Sequence, residues 1–280
     1  MINQHLKAGV IGWPINHSLS PCLHRFWIKE YSIPGEYVPL AVSPKNLKSF
    51  LENLANNGWR GINVTLPHKQ AAMEIMDHID PNAMRIGAIN TVVVKKDGSL
   101  QGINTDGYGF LKSVQSSQPK WRAKTGPIAV LGAGGAARAV LATLVESGAM
   151  EIRLANRNNI RAEKLADDLN GPIKVYKWSE RSDILSDAQL LVNTTSLGMV
   201  GQAPLKISLK NLPVNSIVND IVYTPINTNL LQVARRRGNT IVDGLGMLLH
   251  QAQFGFAAWF GVEPQVSSAL RKHVLNEMNS

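Results

Sequence analysis

The N-terminal third of the chain alternates short apolar runs with segments whose apolar residues recur at helical spacing. Ala8–Gly12 is a short apolar run, and Pro21–Glu30 follows it with the pattern of an amphipathic helix. Arg60–Thr65 is short and β-branched, which predicts a strand that Pro67 ends, and Lys69–Ile79 again has helical spacing. Strands that alternate with helices indicate βα units, so we expect an α/β fold with a mostly parallel sheet.

A hairpin signal follows between two β-type runs. Asp97-Gly98 is a dipeptide favoured in two-residue hairpin turns. Counting outward from such a turn places Asn90 opposite Thr105, with Asp106 next along the chain. We therefore expect the hairpin to bring Asn90 and Asp106 into one neighbourhood.

The second half has the pattern of a separate, doubly wound α/β domain. The polar stretch Gln115–Pro127 is typical of a linker, and the compact apolar strand Ile128–Leu131 follows it. A glycine-rich turn then leads into a helix that extends to about Gly148. Further strands are predicted at Glu151–Ala155, Leu190–Asn193, Ser216–Asp220 and Thr240–Asp243. A last helix, Met247–Phe260, has an aromatic side that we expect to be packing: Phe254, Phe256 and Trp259.

Composition narrows the class of protein. The 280 residues are 44% apolar and 18% charged, which is typical of a soluble globular chain with about two domains. No apolar run approaches the ~20 residues of a membrane span, and the first thirty residues lack the apolar core of a signal peptide. We expect a cytoplasmic protein without membrane contact. The single cysteine, Cys22, cannot build an intrachain disulfide or a zinc site, and we expect no metal.

Charge is the one unusual property of the composition. The 29 Lys and Arg residues exceed the 20 Asp and Glu residues, which gives a net charge of +9 and suits nucleic acid or a small anion. The densest cluster, Arg235–Arg237, lies late on a predicted helix, where cations favour the C-terminus. Because no nucleic-acid motif accompanies the charge, we expect a small-molecule ligand and no nucleic acid.

The glycine-rich turn fits a dinucleotide-binding fingerprint. The segment from Gly132 to Ala137 matches G-x-G-x-x-A between a predicted strand and a predicted helix. Gly132 permits the tight turn, Gly134 lets the backbone approach a pyrophosphate, and Ala137 allows close packing of strand and helix. A glycine turn can also be only a turn, but its placement favours dinucleotide binding, with phosphate at the helix N-terminus.

The end of the second predicted strand favours NADP over NAD. An NAD site carries Asp or Glu there to bind the ribose 2′-hydroxyl. Here the strand ends in Asn156-Arg157, and Arg161 follows one helical turn later. Two guanidinium groups can pair with a 2′-phosphate in bidentate fashion. The alternative is that both arginines are ordinary surface charges.

Two polar groups of the N-terminal third have both a structural and a functional interpretation. Ser18 and Ser20 precede Pro21, as helix-capping residues do, and their hydroxyls can equally face a carboxylate. Lys69 lies just beyond a strand end, where open α/β sheets place binding residues. A lysine in that position is nevertheless most often a solvated charge.

Short polar and glycine-containing blocks follow one another along nearly the whole chain: Ser-x-Ser-Pro, Asn-Val-Thr-x-Pro-x-Lys, Gly-Ala-x-Asn-Thr, Asn-Thr-Asp-Gly, Gly-x-Gly-Gly-Ala, Asn-Arg, Asn-Thr-Thr-Ser-x-Gly-Met, Tyr-x-Pro and Asp-Gly-Leu-Gly-Met-x-x-x-Gln. In this order they resemble the shikimate/quinate dehydrogenase family, in particular its NADP-dependent shikimate dehydrogenases. The lysine, Asn-Thr-Asp-Gly and Asp-Gly-Leu-Gly-Met blocks are far more specific than the glycine-rich turn, which many oxidoreductases share.

The resemblance implies reversible reduction of 3-dehydroshikimate to shikimate with NADPH, a step of aromatic amino acid biosynthesis. It implies that Ser18 and Ser20 hold the substrate carboxylate. The other substrate-binding residues that it implies, with Tyr223 near the reacting side, are Thr65, Lys69, Asn90, Asp106, Tyr223 and Gln251. The residues that it implies for NADP are Gly132, Ala133, Gly134, Gly135, Ala136, Asn156, Arg157, Arg161, Ile221 and Gly244.

Lys69 and Asp106 are the catalytic residues that the resemblance implies. The nicotinamide performs hydride transfer, and negative charge then builds on the ketone oxygen, where the Lys69 ammonium can donate a proton. In the reverse direction neutral Lys69 would act as base. Asp106 would orient Lys69 and favour its charged form, so we expect Lys69 chiefly to position substrate and stabilise the oxyanion.

Three departures from the family pattern carry expectations of their own. Asn158 stands where threonine usually follows Asn-Arg, which weakens an expected contact to the 2′-phosphate. Ile221 stands where methionine is frequent near the nicotinamide. Pro81 and Asn82 replace commoner helical residues before Gly87, so we expect that helix to end early.

We assign residues 1–106 and 246–280 to a substrate-binding catalytic domain and residues 107–245 to a Rossmann-type NADP-binding domain. One alternative is a quinate/shikimate dehydrogenase that uses NAD, against which Arg157, Ser18 and Tyr223 argue. Others are a paralogue that acts on an aminated analogue and a basic nucleotide-binding protein without turnover. The sequence does not distinguish a monomer from a homodimer.

Overall fold

The computed structural model describes residues 5–278, which divide into two compact units. The first unit contains the described residues up to Thr105 and those from Gln251 onwards, and the second contains residues 106–250. Each unit is built on a six-stranded sheet. The assignment of substrate and NADP to separate domains, with boundaries after residues 106 and 245, stays a prediction.

The sheet of the first unit is mixed. Its elements in chain order are β1 (Leu6–Gly12), α1 (Ser20–Glu30), β2 (Gly35–Ala41), α2 (Leu47–Glu52), β3 (Trp59–Val64), β4 (His78–Ile79), α3 (Pro81–Ile86), β5 (Thr91–Val94) and β6 (Leu100–Ile103). The strands lie in the order β2-β1-β3-β5-β6-β4. The pairs β1–β2, β1–β3 and β4–β6 are parallel, whereas β3–β5 and β5–β6 are antiparallel. The expected α/β class is confirmed, and the hairpin supplies the antiparallel part because it reverses the chain without a crossover.

The sheet of the second unit is parallel throughout and doubly wound, as the sequence predicts. Its elements are α4 (Asp106–Ser117), β7 (Ile128–Leu131), α5 (Gly135–Glu146), β8 (Ile152–Asn156), α6 (Asn159–Leu169), β9 (Ile173–Lys177), β10 (Leu190–Asn193), β11 (Ile217–Asp220), α7 (Asn229–Arg237) and β12 (Thr240–Val242). The strand order is β12-β11-β10-β7-β8-β9. The chain moves outward from β7 to β9 and then returns to β10 on the other side of β7. This reversal creates a ligand-binding crevice at the carboxyl ends of β7 and β10 in such folds.

Two more helices complete the described chain, α8 (Gly244–Phe260) and α9 (Ser268–Met278). Phe256 and Trp259 of α8 are buried in the first unit, and Trp259 Nε1 donates to the Val92 carbonyl at 3.0 Å. Phe254 is 48% exposed, so the prediction that it packs is wrong. Two residues turn a helix by about 200°, which points Phe254 away from the face that Phe256 buries.

The hairpin between β5 and β6 has a three-residue turn. Lys95 and Ser99 form the closing backbone hydrogen bond, and Gly98 adopts a left-handed φ of +85°. The Asp97 carboxylate accepts from the Ser99 N–H and Oγ–H at 3.0 and 2.7 Å, which stabilises this turn. Thr91 therefore pairs with Ile103, and the predicted register is wrong by one residue.

Two local predictions between β3 and β5 are also wrong. Within Lys69–Ile79 only Ala71–Ile75 is helical, as a 3₁₀ turn, because the following residues join the sheet as β4. Asp77 helps to hold that pairing, since its carboxylate accepts from the Leu100 N–H at 2.7 Å. Pro81 begins α3 instead of shortening a helix, because the Asp80 carboxylate caps the new N-terminus through the Asn82 N–H.

Within residues 5–278, no helix combines the length and apolar character that crossing a membrane requires. The same residues contain no group of three or more His, Cys, Asp and Glu side chains arranged to hold a metal ion.

Candidate active site

Two serines lie at the start of α1 in the first unit: Ser18 precedes the helix and Ser20 is its first residue. Ser18 Oγ accepts from the Ser20 backbone N–H at 3.3 Å, and Pro21 occupies the first turn of the helix. Leu19, the residue before the helix, contributes no side-chain cap. The interpretation as helix-capping residues therefore holds for Ser18, with Pro21 in the first turn, but not for Ser20, which belongs to the helix. Ser20 is buried and Ser18 is half-buried.

Lys69 lies beyond the carboxyl end of β3, where the sequence places it, and its backbone is held from several sides. Its carbonyl accepts from the Ile89 N–H at 2.9 Å. The neighbouring His68 is buried, donates its backbone N–H to the Thr65 carbonyl at 2.9 Å, and directs Nε2 to the Val42 carbonyl at 2.7 Å. The Lys69 side chain thus starts from a fixed backbone, and it is half-buried.

Asn90 connects two parts of the first unit that are distant in sequence. Its Oδ1 accepts from the Thr105 N–H, and its Nδ2 donates to Thr105 Oγ1, both at 2.9 Å. Nδ2 also donates to Gln251 Oε1 at 3.3 Å, and all three residues are buried. The structure therefore brings together the two predicted residues Asn90 and Gln251. Thr105, which the sequence places opposite Asn90, contacts it through these hydrogen bonds although the strand register differs by one residue.

Asp106 and Tyr223 belong to the second unit. Asp106 is the first residue of α4 and is half-buried. Tyr223 follows β11, and burial raises the pKa of its phenol. Because Lys69 belongs to the first unit, its pairing with Asp106 stays a prediction.

The glycine-rich turn between β7 and α5 has the geometry of a phosphate cradle. Gly132 adopts a φ of +106°, and a Cβ there would lie 2.7 Å from Thr194 Oγ1, so the turn is closed against the residues after β10. A Cβ on Gly134 or Gly135 would meet nothing within 4 Å. No side chain caps α5, and its first turn contains no acid. The open space and the uncapped N–H groups suit a diphosphate.

The end of β8 carries cations and no acid. Arg157 directly follows β8, Arg161 lies in the first turn of α6, and both side chains are exposed. Asn158 Oδ1 accepts from the Arg161 N–H at 2.9 Å and thereby caps α6, and Asn156 Nδ2 donates to the Asn158 carbonyl at 2.8 Å. The departure at Asn158 is thus an N-cap that orders the segment bearing both guanidinium groups.

The ends of β10 and β11 contain residues that sequence reasoning missed. Asp220 is fully buried and accepts from Asn193 Nδ2 at 2.9 Å, from the Val222 N–H at 3.1 Å and from Thr228 Oγ1 at 2.7 Å. Burial raises the pKa of this carboxyl, and its three hydrogen bonds oppose that shift. Asp220 therefore fixes the loop that begins with Ile221. Its signal in the sequence was an acid at the end of an apolar strand.

The second unit thus fits the cofactor that the sequence predicts. The glycine turn of β7, the uncapped α5 and the two arginines after β8 follow one another along one edge of a parallel sheet. A backbone cradle suits pyrophosphate, and guanidinium groups suit a further phosphate on the ribose.

Comparisons with known proteins agree with this geometry. Residues 10–92 match the family described as the shikimate dehydrogenase substrate binding domain, and residues 114–210 match shikimate / quinate 5-dehydrogenase. The shikimate dehydrogenase (NADP(+)) of Paramagnetospirillum magneticum is 56% identical over 269 residues, which cover 96% of this chain and 98% of that protein.

Solved structures share the whole fold. Shikimate 5-dehydrogenase from Thermus thermophilus, in complex with NADP(H) and shikimate, superposes with a TM-score of 0.85 at 34% identity, over 97% of this chain and 99% of that one. Quinate dehydrogenase from Corynebacterium glutamicum, in complex with NAD, superposes with a TM-score of 0.90 at 30% identity, over 97% and 99%. These matches confirm the resemblance seen in the sequence: the chain belongs to the shikimate/quinate dehydrogenase family.

Proposed function

We propose that this chain catalyses the reversible reduction of 3-dehydroshikimate to shikimate with NADPH, in the biosynthesis of aromatic amino acids. The observation that carries the proposal is the 56% identity, over nearly the full length of both chains, with a shikimate dehydrogenase (NADP(+)). The cations after β8 support NADP, because an NAD site would carry an acid there.

The proposed substrate site uses polar groups of known chemical capacity. The hydroxyls of Ser18 and Ser20 donate to the carboxylate, and Tyr223 lies near the reacting carbon. The groups assigned to the ring hydroxyls are Thr65, Lys69, Asn90, Asp106 and Gln251. Supporting this assignment, Asn90 and Gln251 share a hydrogen bond although 161 residues separate them in sequence.

The proposed chemistry places one proton transfer on the protein. When bound, the nicotinamide supplies or accepts the hydride. During reduction the Lys69 ammonium faces the ketone oxygen, stabilises the negative charge that builds there, and donates the proton that completes the hydroxyl. Asp106 orients that ammonium. In the oxidative direction neutral Lys69 accepts the hydroxyl proton.

The proposed cofactor site uses the second unit. The backbone N–H groups from Gly132 to Ala136 bind the pyrophosphate, and Arg157 and Arg161 bind the 2′-phosphate beside Asn156. Ile221 and Gly244 lie by the nicotinamide end. The proposal includes a cytoplasmic location and either a monomer or a homodimer, which light scattering of the purified protein distinguishes.

The test is the absorbance of reduced nicotinamide with shikimate and with quinate, each supplied with NADP and with NAD. We expect fast reduction of NADP when shikimate is the substrate. The rates for the other three pairs should be at least about tenfold lower. Comparable rates with quinate or NAD would assign the chain to the quinate dehydrogenases, whose fold it also shares. No reduction with any pair would contradict the proposed function.

A further inference from the structure

A buried phenol lies beside Ser20 in the first unit. Tyr37, on β2, is fully buried, and its hydroxyl donates to Asn63 Oδ1 at 2.6 Å. Burial raises the pKa of this phenol, and the nearby Ser20 side chain opposes part of that rise. Because a phenol has a single proton, Asn63 is the one acceptor to which Tyr37 donates.

Hydrogen bonds continue from Asn63 to two further residues of the proposed site, Asn90 and Gln251. Asn63 Nδ2 donates to Thr91 Oγ1 at 3.1 Å, and Thr91 Oγ1 donates to Asn90 Oδ1 at 3.0 Å. Asn90 Nδ2 then donates to Gln251 Oε1. The donors of Tyr37, Asn63, Thr91 and Asn90 therefore point the same way along the chain of bonds. Hydrogen bonds aligned in this manner polarise and strengthen one another.

An imidazole holds the Tyr37 ring without competing for its hydroxyl. His24 stacks on Tyr37 with a centroid distance of 3.9 Å and an interplanar angle of 5°. Burial lowers the pKa of His24 to about 3, so the ring is neutral at physiological pH. Among the described residues neither of its nitrogens has a hydrogen-bond partner. His24 therefore acts as a flat apolar support, with Trp27 and Phe256 at its other sides.

We propose that Tyr37 is a positioning residue of the substrate site, whose hydroxyl helps to hold the Asn90 amide in place through Asn63 and Thr91. This inference rests on the proposed function, because it takes Asn90 as a substrate ligand. Without the phenol, Asn63 Oδ1 loses its hydrogen-bond donor. The Asn63 amide is then held only through Nδ2, which donates to Thr91 Oγ1 and to the Asn90 carbonyl, both at 3.1 Å.

The test is Tyr37→Phe, which keeps the stacked ring and removes only the hydroxyl. We expect the dissociation constant and the KM for shikimate to rise about three- to tenfold, the effect of losing a hydrogen bond. The KM for NADP and kcat should each change less than about twofold, because the phenol touches neither the cofactor residues nor Lys69. Tyr31→Phe is the matched control, because it likewise removes a phenol hydroxyl that makes one hydrogen bond, here from the Gln265 backbone N–H, and this hydroxyl lies outside the chain of bonds.

A double variant and a second pair of variants test this chain of hydrogen bonds. Combined with Thr91→Val, Tyr37→Phe should weaken shikimate binding by less than the product of the two single losses, because both changes break the same chain. Thr91→Val should weaken shikimate binding and Thr91→Ser should not, and this pair decides the question if Tyr37→Phe does not fold. Wild-type affinity in Tyr37→Phe or Thr91→Val, or losses that simply multiply, would overturn the inference. Failure of the wild-type protein to bind shikimate would instead contradict the proposed function.

Discussion

The Arg157 guanidinium group is expected to favour NADP over NAD. Arg157→Ala should raise the dissociation constant of NADPH by about tenfold or more and that of NADH by less than about twofold, because only NADPH carries the 2′-phosphate. Fluorescence titration with each cofactor measures both values. Arg236→Ala, an exposed arginine on α7, is the control and should change neither. Equal losses for the two cofactors would make Arg157 an ordinary surface charge.

The buried imidazole of His24 makes stability depend on pH. Burial lowers its pKa to about 3, while in the unfolded chain it is near 6.5. Between these values only the unfolded chain binds the proton, so the free energy of unfolding should fall as the pH falls below 6.5, by about 1.4 kcal/mol per pH unit. Above pH 6.5 this contribution is constant.

Urea unfolding at pH 7.5 and 5.5 measures this dependence. The wild-type protein should lose about 1.4 kcal/mol more than His24→Phe between the two pH values, because the variant lacks the titrating group. His78→Gln, which changes an exposed histidine, should retain the wild-type dependence. An unchanged pH dependence in His24→Phe would show that His24 is charged or partnered in the folded protein.

At the scale of one element, the turn between β7 and α5 separates glycines needed for folding from glycines needed for binding. Gly132→Ala should lower the free energy of unfolding by about 2 kcal/mol or more, because φ is +106° and the new Cβ would press on Thr194. Gly134→Ala should cost about 1 kcal/mol or less, since its φ is −89° and the space is open.

Binding should rank these two variants differently. Gly134→Ala should raise the dissociation constant of NADPH about tenfold, because its methyl group would occupy the space that the pyrophosphate needs. Denaturant unfolding and NADPH titration of both variants give the comparison. Wild-type NADPH affinity in Gly134→Ala would mean that the pyrophosphate does not approach this glycine.

Strands and helices could be predicted from the sequence where the local residue pattern and the tertiary packing favour the same structure. Ile128–Leu131 is the strand that its apolar run predicts, and the glycine turn after it lies where the fingerprint requires. The hairpin was predicted but its register was not, because the turn has three residues instead of two. Hydrogen bonds from Ser99 to the Asp97 carboxylate stabilise this longer turn. Residues 78–79 have helical spacing yet join the sheet, where pairing with β6 outweighs the local preference.

The whole molecule depends on contacts that no local pattern reveals. Tyr37 and Asn63 are 26 residues apart, and Asn193 and Asp220 are 27 apart, so their hydrogen bonds follow only from the strand order. Gln251 belongs to the first unit although a complete second unit precedes it in the chain. Motifs in the sequence could therefore predict the residues that are proposed to contact substrate and cofactor. They could not predict the buried residues that hold those residues in place.

Across the whole molecule, the proposed function requires Lys69 to complete the reduction of a ketone by NADPH. This role is tested by kcat for shikimate with NADP, together with the dissociation constant of NADPH, in the wild-type protein and in Lys69→Met. We predict that kcat falls by about 10²- to 10⁴-fold while the dissociation constant changes less than about twofold. The exposed control Lys45→Met should match the wild type in both. A near-normal kcat in Lys69→Met, or a loss confined to NADPH binding, would contradict this role of Lys69.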